Sequence, residues 1–302
     1  MLNKMDRVKT SFSIKNLEHL SGIKAHTIRI WEKRYNLFEP ERTETNIRLY
    51  NLDSLQKLLN VSMLYKNGFK ISKIAKMEAV EIKNKVHTIT LQKSPYDWSL
   101  GLFKLSMINF DQRLFTNTFD ELMDKMSFSE IYQSIFTPLM IELGVLWQTN
   151  SISPSHEHFI TSLIKQKIHS LCEKLQEAQP SITEKTFVLY LPDNEIHELG
   201  LLYLNYEILE RGYKTIFLGQ SVPTTSLSNF QDKSDKIIFV SCFTIEPNHD
   251  RVEEYLSEFE KEILSNETSE LWITGYQAQH IPKHKNHRIQ IFESSSELIK
   301  EL

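Results

Sequence analysis

Cysteine is nearly missing from this sequence: Cys172 and Cys242 are the two in 302 residues, and they lie far apart in apolar stretches. Such a pair supports neither a disulfide framework nor a thiolate metal site, and it fits a reducing cytoplasm. Glycine is scarce too, with eight residues. None of them forms a GxGxxG or phosphate-binding loop, which argues against a nucleotide as the primary ligand. No apolar run approaches the length of a bilayer span, and Met1 to Thr10 is mixed in charge rather than apolar. The expectation is therefore no export and no membrane partner.

What is present is unevenly distributed. The net charge is only −4, yet lysine and arginine dominate the first quarter of the chain and acidic residues the remainder. A basic first quarter on an acidic chain is an electrostatic footprint for nucleic acid. Phe12 to Leu20 predicts a short helix, Ser21-Gly22-Ile23 a turn, and Lys24 to Lys33 a second helix with Ile28 and Trp31 inward. Two short helices across a glycine turn form a helix-turn-helix, whose second helix enters the major groove. Glu41 to Tyr50 has the composition of a β-wing with a polar tip, Thr43 to Asn46. Helices are expected at Leu52–Asn67 and Ile71–Met77, with Gly68 as a C-cap.

Ile14 to Leu20, Thr27 to Tyr35 and Asn46-Ile47-Arg48-Leu49-Tyr50 together resemble the DNA-binding domain of MerR-type transcriptional regulators. The resemblance implies that Arg29, Arg34, Arg42, Arg48 and Tyr50 contact phosphates of double-stranded DNA, while His26 and Thr27 face base edges. The domain is expected over 1–77, followed by a polar connector over 78–94.

Four segments of helical periodicity then predict a four-helix bundle over 95–178: Tyr96–Met107, Asp111–Met126, Ser129–Trp147 and Pro154–Leu175. At its third junction Trp147 closes one helix and Glu157-His158 opens the next. His156, Glu157 and His158 lack the spacing of a zinc site. Over 184–302, strand-like and helix-like runs alternate through five βα repeats, which predicts a doubly wound, five-stranded parallel sheet. Glu195-Ile196-His197-Glu198-Leu199-Gly200 falls on the first strand-to-helix loop, at the carboxyl edge where such sheets bind ligands. Glu195 can accept one ring N–H of His197 and fix its tautomer, which makes His197 a candidate metal ligand. Gly200 would let a backbone or a large flat ligand come close. Gly219, Ser241 and Gly275 are expected just beyond strand ends on the same edge.

A Glu-x-His-x-x-Gly loop on such a sheet, preceded by a helical bundle, is similar to the cobalamin-binding module of methionine synthase and corrinoid carriers, a flavodoxin-like fold. Trp147, nine residues and then Glu157-His158 is similar to the signature of light-sensing MerR-type regulators of the CarH/LitR kind. The resemblance implies that His197 ligates cobalt from below in place of the cofactor's own base. It also implies that Trp147, Glu157 and His158 surround the upper ligand, adenosylcobalamin being the expected form. A repressor is implied, not an enzyme, acting as a photoreceptor whose dimer or tetramer binds palindromic half-sites until light dissolves it.

Two residues depart from the family pattern. Tyr276 follows Gly275 where a second glycine is common beside the nucleotide tail, so its ring either narrows that channel or turns outward. Gln148 stands where light-sensing members place a histidine, leaving His156 or His158 as substitutes. Three other readings stay open: a cofactor-free regulator whose sheet binds protein, a corrinoid methyl carrier or enzyme, and a sensor of cobalamin concentration without light.

Overall fold

The computed structural model describes residues 11–90, 95–230, 236–265, 268–281 and 285–302. They fall into two compact units, Met1–Leu163 and Ile164–Leu302. Among the described residues no helix is long and apolar enough to cross a membrane.

The first unit begins with a strand, β1 (Ser11–Ser13), where the sequence pattern predicts the start of a helix. Phe12 is fully buried opposite Tyr50, and Ser13 begins the helix instead. Its hydroxyl accepts the N–H of Asn16 while the Asn16 carboxamide accepts the N–H of Ser13, a reciprocal cap that fixes the start of α1 (Ile14–Ser21). Gly22, at φ +71°, ends it. Helix α2 (Ala25–Tyr35) buries Ile28 and Trp31. Strands β2 (Glu41–Arg42) and β3 (Arg48–Asn51) form the antiparallel wing, and β1 adds to its other edge in the order β1-β3-β2. Asn51 caps α3 (Leu52–Lys66).

Gly68, at φ +84°, lies two residues past α3 and turns the chain towards α4 (Ile71–Ile74). The connector is helical as α5 (Ala79–Thr90); its last residues, 91–94, lie outside the described ones. The bundle helices are α6 (Pro95–Asn109), α7 (Gln112–Met123), α8 (Phe128–Ile131), α9 (Thr137–Gln148) and α10 (Pro154–Gln176).

The predicted single helix Ser129–Trp147 is thus divided by one wide turn with i→i+5 bonds, Tyr132–Phe136. Pro138 explains it: proline donates no N–H and its ring crowds the carbonyl one turn back, so the ladder widens before it. Phe103, Phe115 and Phe136 pack there with ring centroids 5.1 to 6.4 Å apart.

The second unit is the predicted parallel sheet. Strands β4 (Ile182–Tyr190), β5 (Tyr213–Gly219), β6 (Lys236–Cys242), β7 (Glu270–Thr274) and β8 (Ile289–Ile291) are arranged β5-β4-β6-β7-β8. Helices α11 (Leu199–Glu210), α12 (Val252–Glu262) and α13 (Ser295–Lys300) follow β4, β6 and β8. After β5 and β7 the described residues make 3-10 turns, Thr224–Phe230 and Gln277–His280, and among the described residues three of the expected repeats carry an α-helix. Thr224-Thr225-Ser226 after Pro223 has little helix propensity, which accounts for the first of these. The core between the sheet and α12 is aromatic, with Tyr190, Phe239, Phe243 and Phe259 buried together.

Candidate functional site

In the first unit, α2 presents His26, Arg29 and Arg34 to solvent, with Thr27 partly covered and in contact with the His26 ring at 3.3 Å. Arg42 is exposed on the wing, hydrogen-bonded to Asn46 at its tip. Arg48 is half-buried, and its Nε donates to Glu32 at 3.0 Å. Tyr50 corrects the expectation of a phosphate contact. It is 1% exposed, and its hydroxyl donates to the other Glu32 oxygen at 2.8 Å. Burial and that carboxylate push its phenol well above the usual value. Glu32 therefore ties the wing to α2 through Arg48 and Tyr50.

At the junction of α9 and α10, Trp147 is 57% exposed on the last turn of α9. His158 is exposed, and its Nδ1 lies 2.9 Å from Glu157 on the first turn of α10. His156 is different. It is fully buried, its Nδ1 meets the Ser153 hydroxyl at 2.8 Å, and its ring stacks on Phe110. It is a cap at the start of α10, which corrects its place as a substitute ligand.

In the second unit the Glu195–His197 pair stands on the loop between β4 and α11. Glu195 is fully buried. One of its carboxylate oxygens accepts the His197 Nδ1–H at 2.6 Å and the amides of Ile196 and His197, each at 2.9 Å. The other accepts the amides of Thr244, Ile245 and Glu246 at 3.2, 2.6 and 2.9 Å, just after β6. Burial works against the charge, but the amides of Ile245, Glu246 and His197 and the His197 ring outweigh it and hold the carboxyl below its usual range. The His197 side chain is 47% exposed. With Nδ1 committed to Glu195, Nε2 is the ring nitrogen that could hold a metal, the arrangement a histidine ligand requires. The donor set fits cobalt.

The other predicted edge residues separate. Gly275, at φ +110°, brings its Cα against the Phe243 carbonyl, and a Cβ there would lie 2.5 Å from that oxygen. Tyr276 turns outward, 63% exposed and edge-on to His280. Ser241 is corrected: it lies within β6, fully buried, with its hydroxyl donated to the Tyr190 carbonyl. Gly200 is partly exposed, and a Cβ built there would lie 3.8 Å from the Cys242 sulfur, an ordinary van der Waals contact. The amides of Thr244 to Glu246 escape a reading of the sequence because backbone groups carry no residue signature.

Residues 12–80 match the family of MerR HTH regulatory proteins, and residues 102–171, on the bundle helices, match the B12 binding domain. The chain joins a MerR-type helix-turn-helix domain to a B12-binding domain. Over 224 residues it is 25% identical to the HTH-type transcriptional repressor CarH of Myxococcus xanthus, covering 72% of this chain and 73% of that protein. The HTH-type transcriptional repressor CarA of the same organism is 24% identical over 217 residues, covering 71% and 70%. Among solved structures, the monomethylamine corrinoid protein of Methanosarcina barkeri aligns with a TM-score of 0.54 at 13% identity, covering 65% of this chain and 92% of that one. That likeness concerns the fold alone.

In the MerR-type domain of this chain, Arg29, Lys33 and Arg34 on α2 and Arg42 on the wing are exposed cations. In its B12-binding domain the matched residues carry Trp147, Glu157 and His158.

Proposed function

We propose that the chain is a cobalamin-controlled transcriptional regulator, a repressor rather than an enzyme. In this reading α2 and the wing would read double-stranded DNA, His197 would hold the cobalt of the cofactor, and Trp147, Glu157 and His158 would serve the group that the cobalt carries. Gly275 and Tyr276 border the lower site. The observation that carries the reading is the Glu195–His197 clamp: a buried carboxylate is held ionised by five backbone amides to orient one exposed imidazole. A solvated loop histidine has no need of such a support.

Adenosylcobalamin, the form proposed, supplies a cobalt–carbon bond that light breaks. The protein's part is to distinguish the loaded state from the unloaded one, since a ligand shifts an equilibrium only by its differential affinity for the two states. The indole of Trp147 and the Glu157–His158 pair are exposed groups able to make that distinction. Assembly into homo-oligomers would then place several readers on adjacent half-sites. Gel filtration of the adenosylcobalamin-loaded protein should show an oligomer in darkness and smaller species after green light; an unchanged profile removes the light switch and leaves a concentration sensor.

The DNA surface has its own test. Arg29→Ala or Arg34→Ala should weaken binding across sequences and lower the salt slope by about 0.9 for each phosphate left without its cation. Tyr50→Phe should leave that slope unchanged and cost about 1 kcal/mol of stability, the worth of its bond to Glu32. A reduced slope for Tyr50→Phe would return that hydroxyl to the phosphate set.

A further inference from the structure

The loop that separates Trp147 from Glu157 is fastened at three places. At its start, Thr149 closes α9 by donating its hydroxyl to the Val145 carbonyl at 2.8 Å, and the Ser151 amide reaches back to Leu146. At its end, Ser153 meets the His156 ring that caps α10. In the middle, Ser151 is fully buried against the first helix of the DNA-binding domain. Its hydroxyl lies 3.2 Å from Asn16 Nδ2, 3.2 Å from His19 Nδ1 and 3.0 Å from the Thr149 hydroxyl.

Donor and acceptor counting orders these contacts. Thr149 gives its proton to Val145, so between the two hydroxyls Ser151 must be the donor. The Ser151 oxygen then accepts from Asn16, and from His19 when that ring carries its proton on Nδ1. With the proton on His19 Nδ1 the result is a continuous chain: α1 donates to Ser151, Ser151 to Thr149, and Thr149 to the last turn of α9, where Trp147 sits. Asn16 is also the residue that caps α1 through Ser13, so a pull on Ser151 acts at the start of the helix-turn-helix.

We infer that Ser151, with Asn16 and His19, couples the ligand-facing loop to the DNA reader, as positioning residues that touch neither DNA nor cofactor. The inference rests on the reading of Trp147, Glu157 and His158 as ligand-facing. Any rearrangement of Trp147 against Glu157 displaces Ser151 between them, and with it the pose of α1. The connection lies within one compact unit and spans 132 to 135 residues of sequence.

The test is amide hydrogen exchange on the full-length protein, with and without adenosylcobalamin in darkness. In the unaltered chain, residues 14–21 should exchange at least about threefold more slowly, or more quickly, on loading, alongside residues 149–163. In Ser151→Ala and in His19→Ala the effect on 14–21 should vanish while that on 149–163 persists. His19→Asn, which keeps a donor near the position of Nδ1, should restore it. His19 is exposed, so its variants test the coupling even if Ser151→Ala fails to fold. A response at 149–163 without one at 14–21 in the unaltered chain overturns the coupling alone, as does an undiminished response in His19→Ala. Failure of the protein to take up adenosylcobalamin overturns the functional reading and the coupling with it.

Discussion

His197→Ala is expected to lower the affinity for adenosylcobalamin by at least about 100-fold, the upper range for disturbing even an outer partner of a metal ligand, while DNA affinity in the absence of cofactor stays within about twofold. The two effects separate because the ring is exposed and belongs to the second unit, whereas the reader belongs to the first. Removing the imidazole also leaves Glu195 well satisfied. Its oxygens keep the amides of Ile196, His197, Thr244, Ile245 and Glu246. The domain should therefore melt as before, and the drop in affinity reports a missing ligand rather than a missing fold. Isothermal titration beside thermal melting checks both halves.

Glu195→Ala should do the reverse, damaging stability first. It removes the shared acceptor of five amides that converge inside the protein, and orphaned buried donors cost about 1 to 3 kcal/mol each before relaxation. Because such costs do not add and water can enter, a total of about 3 to 5 kcal/mol is expected, lowering the melting midpoint on the order of 10 °C. Glu195→Gln keeps one carbonyl oxygen and turns an amide group towards donors, so it should fall between the two.

A pH series on the ligand-free protein gives an independent sign. The folded Glu195 carboxyl is held below its reference value of 4.5, so its stabilisation is complete above that pH and is lost as pH falls through the lowered folded value. Glu195→Gln should lack this acid-limb contribution. An alanine variant as stable as the parent would mean that the buried carboxylate is not what holds the loop.

Much of this was legible because the informative groups are side chains at fixed spacings. Thr27 to Tyr35 and Asn46 to Tyr50 declare the reader and its wing, and Glu195-x-His197 declares the loop; the structure puts each on the expected element. What the sequence hides has physical causes. Phe12 shares its apolar character with either a helix or a strand, and only its pairing with Tyr50 across β1 and β3 decides. Ser241 lies near a strand end, but its alternation turns it inward to the Tyr190 carbonyl.

The family resemblance implies Arg48 and Tyr50 as phosphate contacts; Glu32, 16 to 18 residues earlier, claims the Tyr50 hydroxyl, and it engages Arg48 through Nε alone. The amides of Thr244 to Glu246 and the Ser151 bonds to α1 depend on chain reversals that no local pattern encodes.

The central claim, an imidazole nitrogen of His197 on cobalt, is tested most directly by electron paramagnetic resonance of the protein loaded with cobalt(II) cobalamin and labelled with nitrogen-15 at histidine only. The account predicts that nitrogen splitting of the cobalt signal changes from a triplet to a doublet with the label and disappears in His197→Ala. A triplet indifferent to the label would mean that the cofactor's own base remains on the metal, and would contradict the account.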